Sequence, residues 1–170
     1  MACIRFVASM KKILLLLMIF AALAAPFAHA SEYYYDLNDK KFTYDQLVAK
    51  PKTILLIWTT WCPICRKTIK RFTGTKNLRD DINIVFLDSG ERRPEVLASI
   101  KQLQVPEAMY SLFYRDPFQE IMNHFYVAAV PTVIFFQDGK IVKTAHTLTS
   151  GIIEQVYPPE KNKATDARNN

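Results

Sequence analysis

The sequence predicts one α/β domain built on a central mixed β-sheet with helices on its faces. Three observations carry that reading. Two almost unbroken apolar, β-branched runs, 53–59 and 82–87, suit central strands buried on both faces. Runs with apolar residues at helical spacing separate and follow them, so that strand and helix alternate along the chain. A proline-led strand at 133–137 and the two-residue turn Asp138-Gly139 then give a hairpin, which adds antiparallel strands to the parallel ones.

Length and composition set the bounds. Of the 170 residues, 1–30 read as an export leader, and 31–170 is enough for one domain with a real core and too little for two. Half of the residues are apolar, with 11 Phe, 8 Tyr and 2 Trp, which excludes a disordered or collagen-like chain. The net charge of +6 falls to +3 for 31–170, because Arg5, Lys11 and Lys12 stand unopposed in the leader. That balance is too mild to argue for nucleic acid.

The elements follow in order. A short strand is expected at 33–37, and Thr43 caps a helix that runs to Lys50 and stops at Pro51. The strand 53–59 leads directly into Trp61-Cys62-Pro63-Ile64-Cys65. Pro63 suits a first helical turn, and Cys65, Ile69 and Phe72 recur at i, i+4 and i+7, giving a helix to about Thr73 with Arg66, Lys67, Lys70 and Arg71 outward. After the strand 82–87, Pro94 opens a helix with Val96, Leu97, Ile100 and Leu103 on one face, and 109–114 reads as a short strand. Asp116 and Pro117 are then expected to start a helix that turns Phe118, Ile121, Met122 and Phe125 inward. Beyond the hairpin, 150–157 forms a closing helix with Ile152, Ile153 and Val156 inward, and the polar stretch 158–170 reads as a disordered tail.

The leader has three parts. Lys11-Lys12 precede the apolar run 13–25, and Ala28-His29-Ala30 places small residues three and one before a cut after Ala30. Met10 before the lysines also looks like a natural start, so Met1 and Met10 both stand as candidates. An uncleaved anchor is the alternative, although the apolar stretch falls short of the ~20 residues that cross a bilayer comfortably. The domain is therefore expected to be periplasmic or otherwise exported.

Cys62 and Cys65 are the only cysteines of 31–170. An exported protein meets an oxidising compartment, yet a CxxC disulfide closes too little chain to stabilise a fold much, so the pair points to chemistry. Cys62, at a helix start, has backbone N–H groups and the positive end of the dipole to favour its thiolate, and it is the expected attacking sulfur. Cys65, one turn on along the apolar face, is the expected resolving sulfur. Arg66 and Lys67 add positive charge or simply form a solvated face. Zinc would need further ligands, and His124 and His146 have no diagnostic spacing. Arg66 stands where haem attachment through CxxCH needs histidine. Copper delivery lacks a Met or His cluster beside the thiols.

WTTWCPICRK at 58–67 together with AVPTVIFFQDGKIV at 129–142 resembles a thioredoxin-fold thiol:disulfide oxidoreductase over essentially the whole of 31–157. The long segment 88–131 resembles the insertion of the exported TlpA type, which includes the cytochrome c maturation thioredoxins, and Trp61-Cys62-Pro63 with Arg66 is similar to their WCPxCR sites. The resemblance implies a thioredoxin fold with a TlpA-type insertion before a cis-proline at Pro131. It implies that the Val130 backbone pairs with an extended substrate, that Trp61, Pro63, Ile64 and Thr132 shape the site, with Trp61 shielding the sulfurs, and that Trp58 fills the core beneath. No bound cofactor is implied beyond a redox-active Cys62–Cys65 disulfide. The implied partners are exported protein thiols and disulfides and a membrane or periplasmic thiol donor.

The sequence also departs from the resembling proteins. A buried Asp six residues before the first cysteine is Leu56 here, a Glu six residues after it is Thr68, and a Pro two further on is Lys70. An acidic residue after the cis-proline is Thr132, which weakens a role in haem protein maturation. No group that takes the Cys65 proton is identified. Reductase, DsbA-like oxidant or isomerase, and non-catalytic thioredoxin-fold interaction module all stand as readings, with the reductase favoured by an insertion too short for a DsbA-like helical domain.

Overall fold

The structure, a computed structural model, describes residues 33–74 and 79–159. The leader, the cut after Ala30, the alternative starts and the expected tail from 160 onward lie outside the described residues. Among the described residues no helix is long and apolar enough to cross a membrane.

The run expected to be the central strand takes that place. Its register is β3 (Lys52–Trp58), paired in parallel with β4 (Asn83–Ser89) and antiparallel with β6 (Thr132–Gln137). Two strands precede it, β1 (Tyr34–Asp36) and β2 (Lys41–Phe42), and β5 (Phe113–Asp116) and β7 (Lys140–Ala145) complete seven in the order β2-β1-β5-β4-β3-β6-β7. The sheet is mixed because β3, β4 and β5 run parallel while the pairs at both edges are antiparallel. Asp138 and Gly139 both take positive φ, 52° and 74°, the geometry that a two-residue turn needs to match strand twist in the β6–β7 hairpin.

Helices cover both faces. On one face α2 (Pro63–Gly74), α3 (Arg93–Gln102) and α5 (Ser150–Val156) bury Cys65, Ile69, Val96, Ile100 and Ile153 against Ile54, Leu56, Trp58, Phe86 and Phe135. On the other, α1 (Tyr44–Leu47) and α4 (Glu120–His124) bury Leu47 and Ile121 against Leu55, Ile57, Val85, Leu87 and Phe136. The alternation along β3 divides its side chains between two cores, so a one-residue register slip would exchange them. Tyr157 closes the first core, its buried hydroxyl between the carbonyl oxygens of Thr53 and Phe136 at 3.0 and 2.6 Å.

Several expectations are corrected by local chemistry. The stretch expected as a strand at 109–114 is instead a 3-10 turn, Glu107–Leu112, after Pro106, and the strand starts only at Phe113, where pairing with Phe86 begins. Asp116 therefore ends β5, and Gln119 in left-handed conformation, φ 58°, delays α4 to Glu120. Phe118 is consequently outward and 68% exposed, not inward. The first helix stops at Leu47, three residues short of Lys50, although Thr43 caps it with a full capping box to Gln46.

Candidate active site

The site is built where the central strand ends. β3 delivers Trp58 to the core, and a three-residue turn, Thr59 to Trp61, brings the chain to Cys62, whose N–H donates to the Thr59 carbonyl at 3.3 Å. Pro63 then begins α2 with no N–H to leave unsatisfied. Cys62 and Cys65 form a disulfide with Cα atoms 5.3 Å apart. The backbone N–H of Cys65 points at Cys62 Sγ from 3.2 Å, so the helix end aims a donor at the sulfur. In the reduced protein that donor and the helix dipole favour the Cys62 thiolate. Cys62 is 4% exposed and Cys65 is fully buried, which separates an edge sulfur from a core sulfur.

A second loop meets the disulfide from β6. The Val130–Pro131 peptide bond is cis, and the Val130 carbonyl oxygen lies 3.9 Å from Cys62 Sγ. Thr132 Oγ1 donates to the Ala129 carbonyl at 2.7 Å, closing the turn, and His146 Nδ1 sits 3.3 Å from the Pro131 carbonyl oxygen. His146, whose spacing in the sequence is not diagnostic, follows directly on β7, and that strand carries it back to the cis-proline. His124 instead lies tilted against the Tyr44 ring and edge-on to Phe125, on the opposite face of the sheet.

The side chains around this centre divide by exposure. Trp61 is 70% and Ile64 62% exposed, an apolar pair at the rim beside the half-buried Val130. Trp61 thus turns most of its ring to solvent, and the cover over Cys62 comes from the cis-proline loop. Trp58 is fully buried, as plain packing requires, but its indole Nε1 finds no hydrogen-bond partner. Arg66 is half-buried and donates to Gln102 Oε1 of α3 at 2.7 Å, which leaves Lys67 and Lys70 as the open cations of that face.

Sequence reasoning missed two carboxylates beneath the loop. Asp88 pairs with Trp58 in the β3–β4 register, is completely buried, and has no donor on Oδ2. Gly90, at φ 92°, turns the chain back so that the Glu91 N–H reaches Asp88 Oδ1 at 3.2 Å. Glu91 then accepts from the Thr60 N–H at 2.6 Å and from the Thr60 hydroxyl, two residues before Cys62. Burial, followed by the hydrogen bond and negative charge of the Glu91 carboxyl, pushes the Asp88 carboxyl up to about 9, against the weaker opposing pull of the Glu91 backbone N–H and, after it, of Arg115. A charged residue closing the otherwise apolar run 82–87 was the available signal. Thr68, where resembling reductases carry Glu, is buried on α2, and Leu56 is buried in the first core.

The model of the thioredoxin-like family matches residues 51–141, from the start of β3 into β7. The chain belongs to the thioredoxin-like family. It is similar to sporulation thiol-disulfide oxidoreductase A of Bacillus subtilis, 26% identical over 101 residues that cover 55% of this chain and 58% of that protein. It is also similar to a thioredoxin-like protein of Haemophilus influenzae, 24% identical over 115 residues, covering 68% of this chain and 66% of the relative. The matches thus span less than two thirds of either relative. Among solved structures, a thiol:disulfide interchange protein from Bacteroides sp. shares the fold at a TM-score of 0.63 and 17% identity, covering 79% of this chain and 90% of that one.

Proposed function

We propose that the chain is an exported thiol:disulfide oxidoreductase of the TlpA type that works as a reductase of protein disulfides. The observation that carries the reading is the Cys62–Cys65 disulfide at the start of α2, with a backbone N–H on Cys62 Sγ and the cis-proline carbonyl loop against it. The Cys62 thiolate attacks one sulfur of a substrate disulfide, forms a mixed disulfide and expels the substrate's other sulfur as a thiolate. Cys65 loses its proton, attacks Cys62 Sγ and releases the second substrate thiolate, so two electrons pass to the substrate and the Cys62–Cys65 bond remains. A membrane or periplasmic dithiol then returns two electrons by the reverse exchange, and no bound cofactor is needed.

Supports for the substrate class are physical. Trp61, Ile64 and Val130 offer an apolar rim, and the Val130 backbone before cis-Pro131, beside Cys62, suits an extended peptide with little demand on its sequence. The test is trapping in cells. Cys65→Ser should accumulate mixed disulfides between Cys62 and exported proteins, visible as adducts that vanish with dithiothreitol, and Cys62→Ser should abolish both adducts and exchange. Absence of any adduct with Cys65→Ser, in a folded protein, would refute the catalytic reading in favour of an interaction module.

A further inference from the structure

The two carboxylates beneath the Cys62 loop are not at either position where resembling reductases carry theirs, and they are arranged in an unusual way. Asp88 Oδ2 is sealed from water without a donor, and the polar group that faces it is the carboxyl of Glu91. Two ionised carboxylates side by side repel, and each buried lone pair without a donor is costly. One proton between them removes both penalties. The same Glu91 carboxyl grips the Thr60 N–H and hydroxyl, so the pair reaches the turn that presents the attacking sulfur.

The surroundings offer little that could replace the proton. β3 contributes the uncharged Trp58, whose Nε1 is itself unpaired. β5 contributes Arg115, the register partner of Asp88, whose terminal Nη2 is taken by Asp39 and whose guanidinium lies over the Tyr35 ring; its buried Nε makes no hydrogen bond, to Asp88 or to any other group, so only its charge acts on Asp88. α2 turns Cys65, Thr68 and Ile69 inward, and α3 turns Val96, Ser99 and Ile100, while Glu95 of α3 is occupied by Arg92 at the surface.

We propose that Asp88 and Glu91 hold a single proton between them and, as positioning residues, pin the Thr59–Trp61 turn that presents Cys62, releasing it when that proton is lost. The step is a simple ionisation: an Asp88–Glu91 acid–carboxylate pair gives its proton to water and becomes two carboxylates, whose repulsion drives Glu91 from Asp88 and loosens its hold on Thr60. The inference rests on the exchange reading only for its consequence. The turn is fixed through the neutral range, and exchange slows on the alkaline side, where Asp88 ionises.

Carboxyl resonances of the reduced protein, followed by NMR from pH 4 to 11, give the first arm of the test. Asp88 should keep its proton past neutrality and move in an alkaline step in which Glu91 also moves; titration of Asp88 in the ordinary carboxylate range would overturn the proposal. The second arm is the rate of exchange with oxidised glutathione against pH. In the parent it should rise with Cys62 ionisation and then fall through the alkaline step. Asp88→Asn should keep the rise and lose the fall, whereas Glu91→Ala should lower the rate at pH 7 by about tenfold as Thr60 loses its acceptor. An alkaline fall unchanged in Asp88→Asn would overturn the coupling. Should Asp88→Asn not fold, the half-buried loop change Glu91→Gln decides in its place, since its amide can donate to Asp88 Oδ2 while its carbonyl still accepts from Thr60, so that the alkaline repulsion and the fall should again be lost. No exchange at any pH alongside the expected carboxyl titration would refute the exchange reading and the proposed consequence, and leave the shared proton established.

Discussion

Two aspartates end neighbouring strands, Asp88 on β4 and Asp116 on β5, and both are completely buried. Their fates differ. Asp116 faces the core under α4, where its two oxygens accept from the Glu120 and Ile121 N–H groups at 3.0 and 2.8 Å. Burial still raises its pKa, but those backbone bonds work against the rise. Asp88 faces the core under the disulfide, receives one N–H from Glu91, and is left with an orphan oxygen against another carboxylate. The comparison separates a structural carboxylate, satisfied by a helix start, from one that a well-packed fold would discard unless the adjacent chemistry used it.

The comparison can be broken by pH. The folded-state pKa of Asp88 is raised from 3.8 to about 9, so the folded chain holds a proton that the unfolded chain has released across that window. Its contribution to stability is fully present below about pH 4 and is lost as pH rises through 9. Asp88→Asn has no such proton. Urea denaturation should therefore show the variant gaining on the parent, by on the order of 5 kcal/mol, between pH 5 and pH 9; a parallel pair of curves would break the contrast.

Asp116→Ala should lose about 2 kcal/mol at pH 7 in the same experiment, because two buried N–H groups of α4 lose their acceptor. Gly90→Ala comes next. Its φ of 92° disfavours an L side chain, and the added Cβ would approach the flexible Gln119 amide end at 2.5 Å, so a loss of about 1–2 kcal/mol is expected together with faster amide exchange at Thr60. The smallest effect is a cap far from the disulfide: Thr43→Ala should cost about 1 kcal/mol by urea denaturation and leave the exchange rate unchanged.

Much of the fold was legible because it is written in local patterns. The runs 53–59 and 82–87, the Asp138-Gly139 turn and the Thr43 cap each act through neighbours in sequence, and the structure places β3, β4, the hairpin and α1 there. The failures lie where a residue's partner is remote. Asp116 does serve the start of α4 with its side chain, but pairing of β5 with β4 claimed its backbone, so the helix begins at Glu120 and not at Pro117 and Phe118 is left outward. Glu91 stands in no local pattern, and only the β3–β4 register brings it to Thr60, 31 positions away. His146 likewise meets Pro131 through the β6–β7 pairing across 15 positions. Motif spacing marks the sulfurs themselves, whereas the groups that hold the loop come from long-range pairing that no local pattern records.

The function of the Cys62–Cys65 pair turns on the direction in which it exchanges electrons. The most direct measurement is the reduction potential of the purified chain, equilibrated against defined ratios of reduced and oxidised dithiothreitol or glutathione and read by thiol alkylation. A value near the thioredoxin range, about −270 mV, is the result expected of a reductase that keeps exported thiols open. A value near about −120 mV would contradict the account and make the protein a disulfide donor.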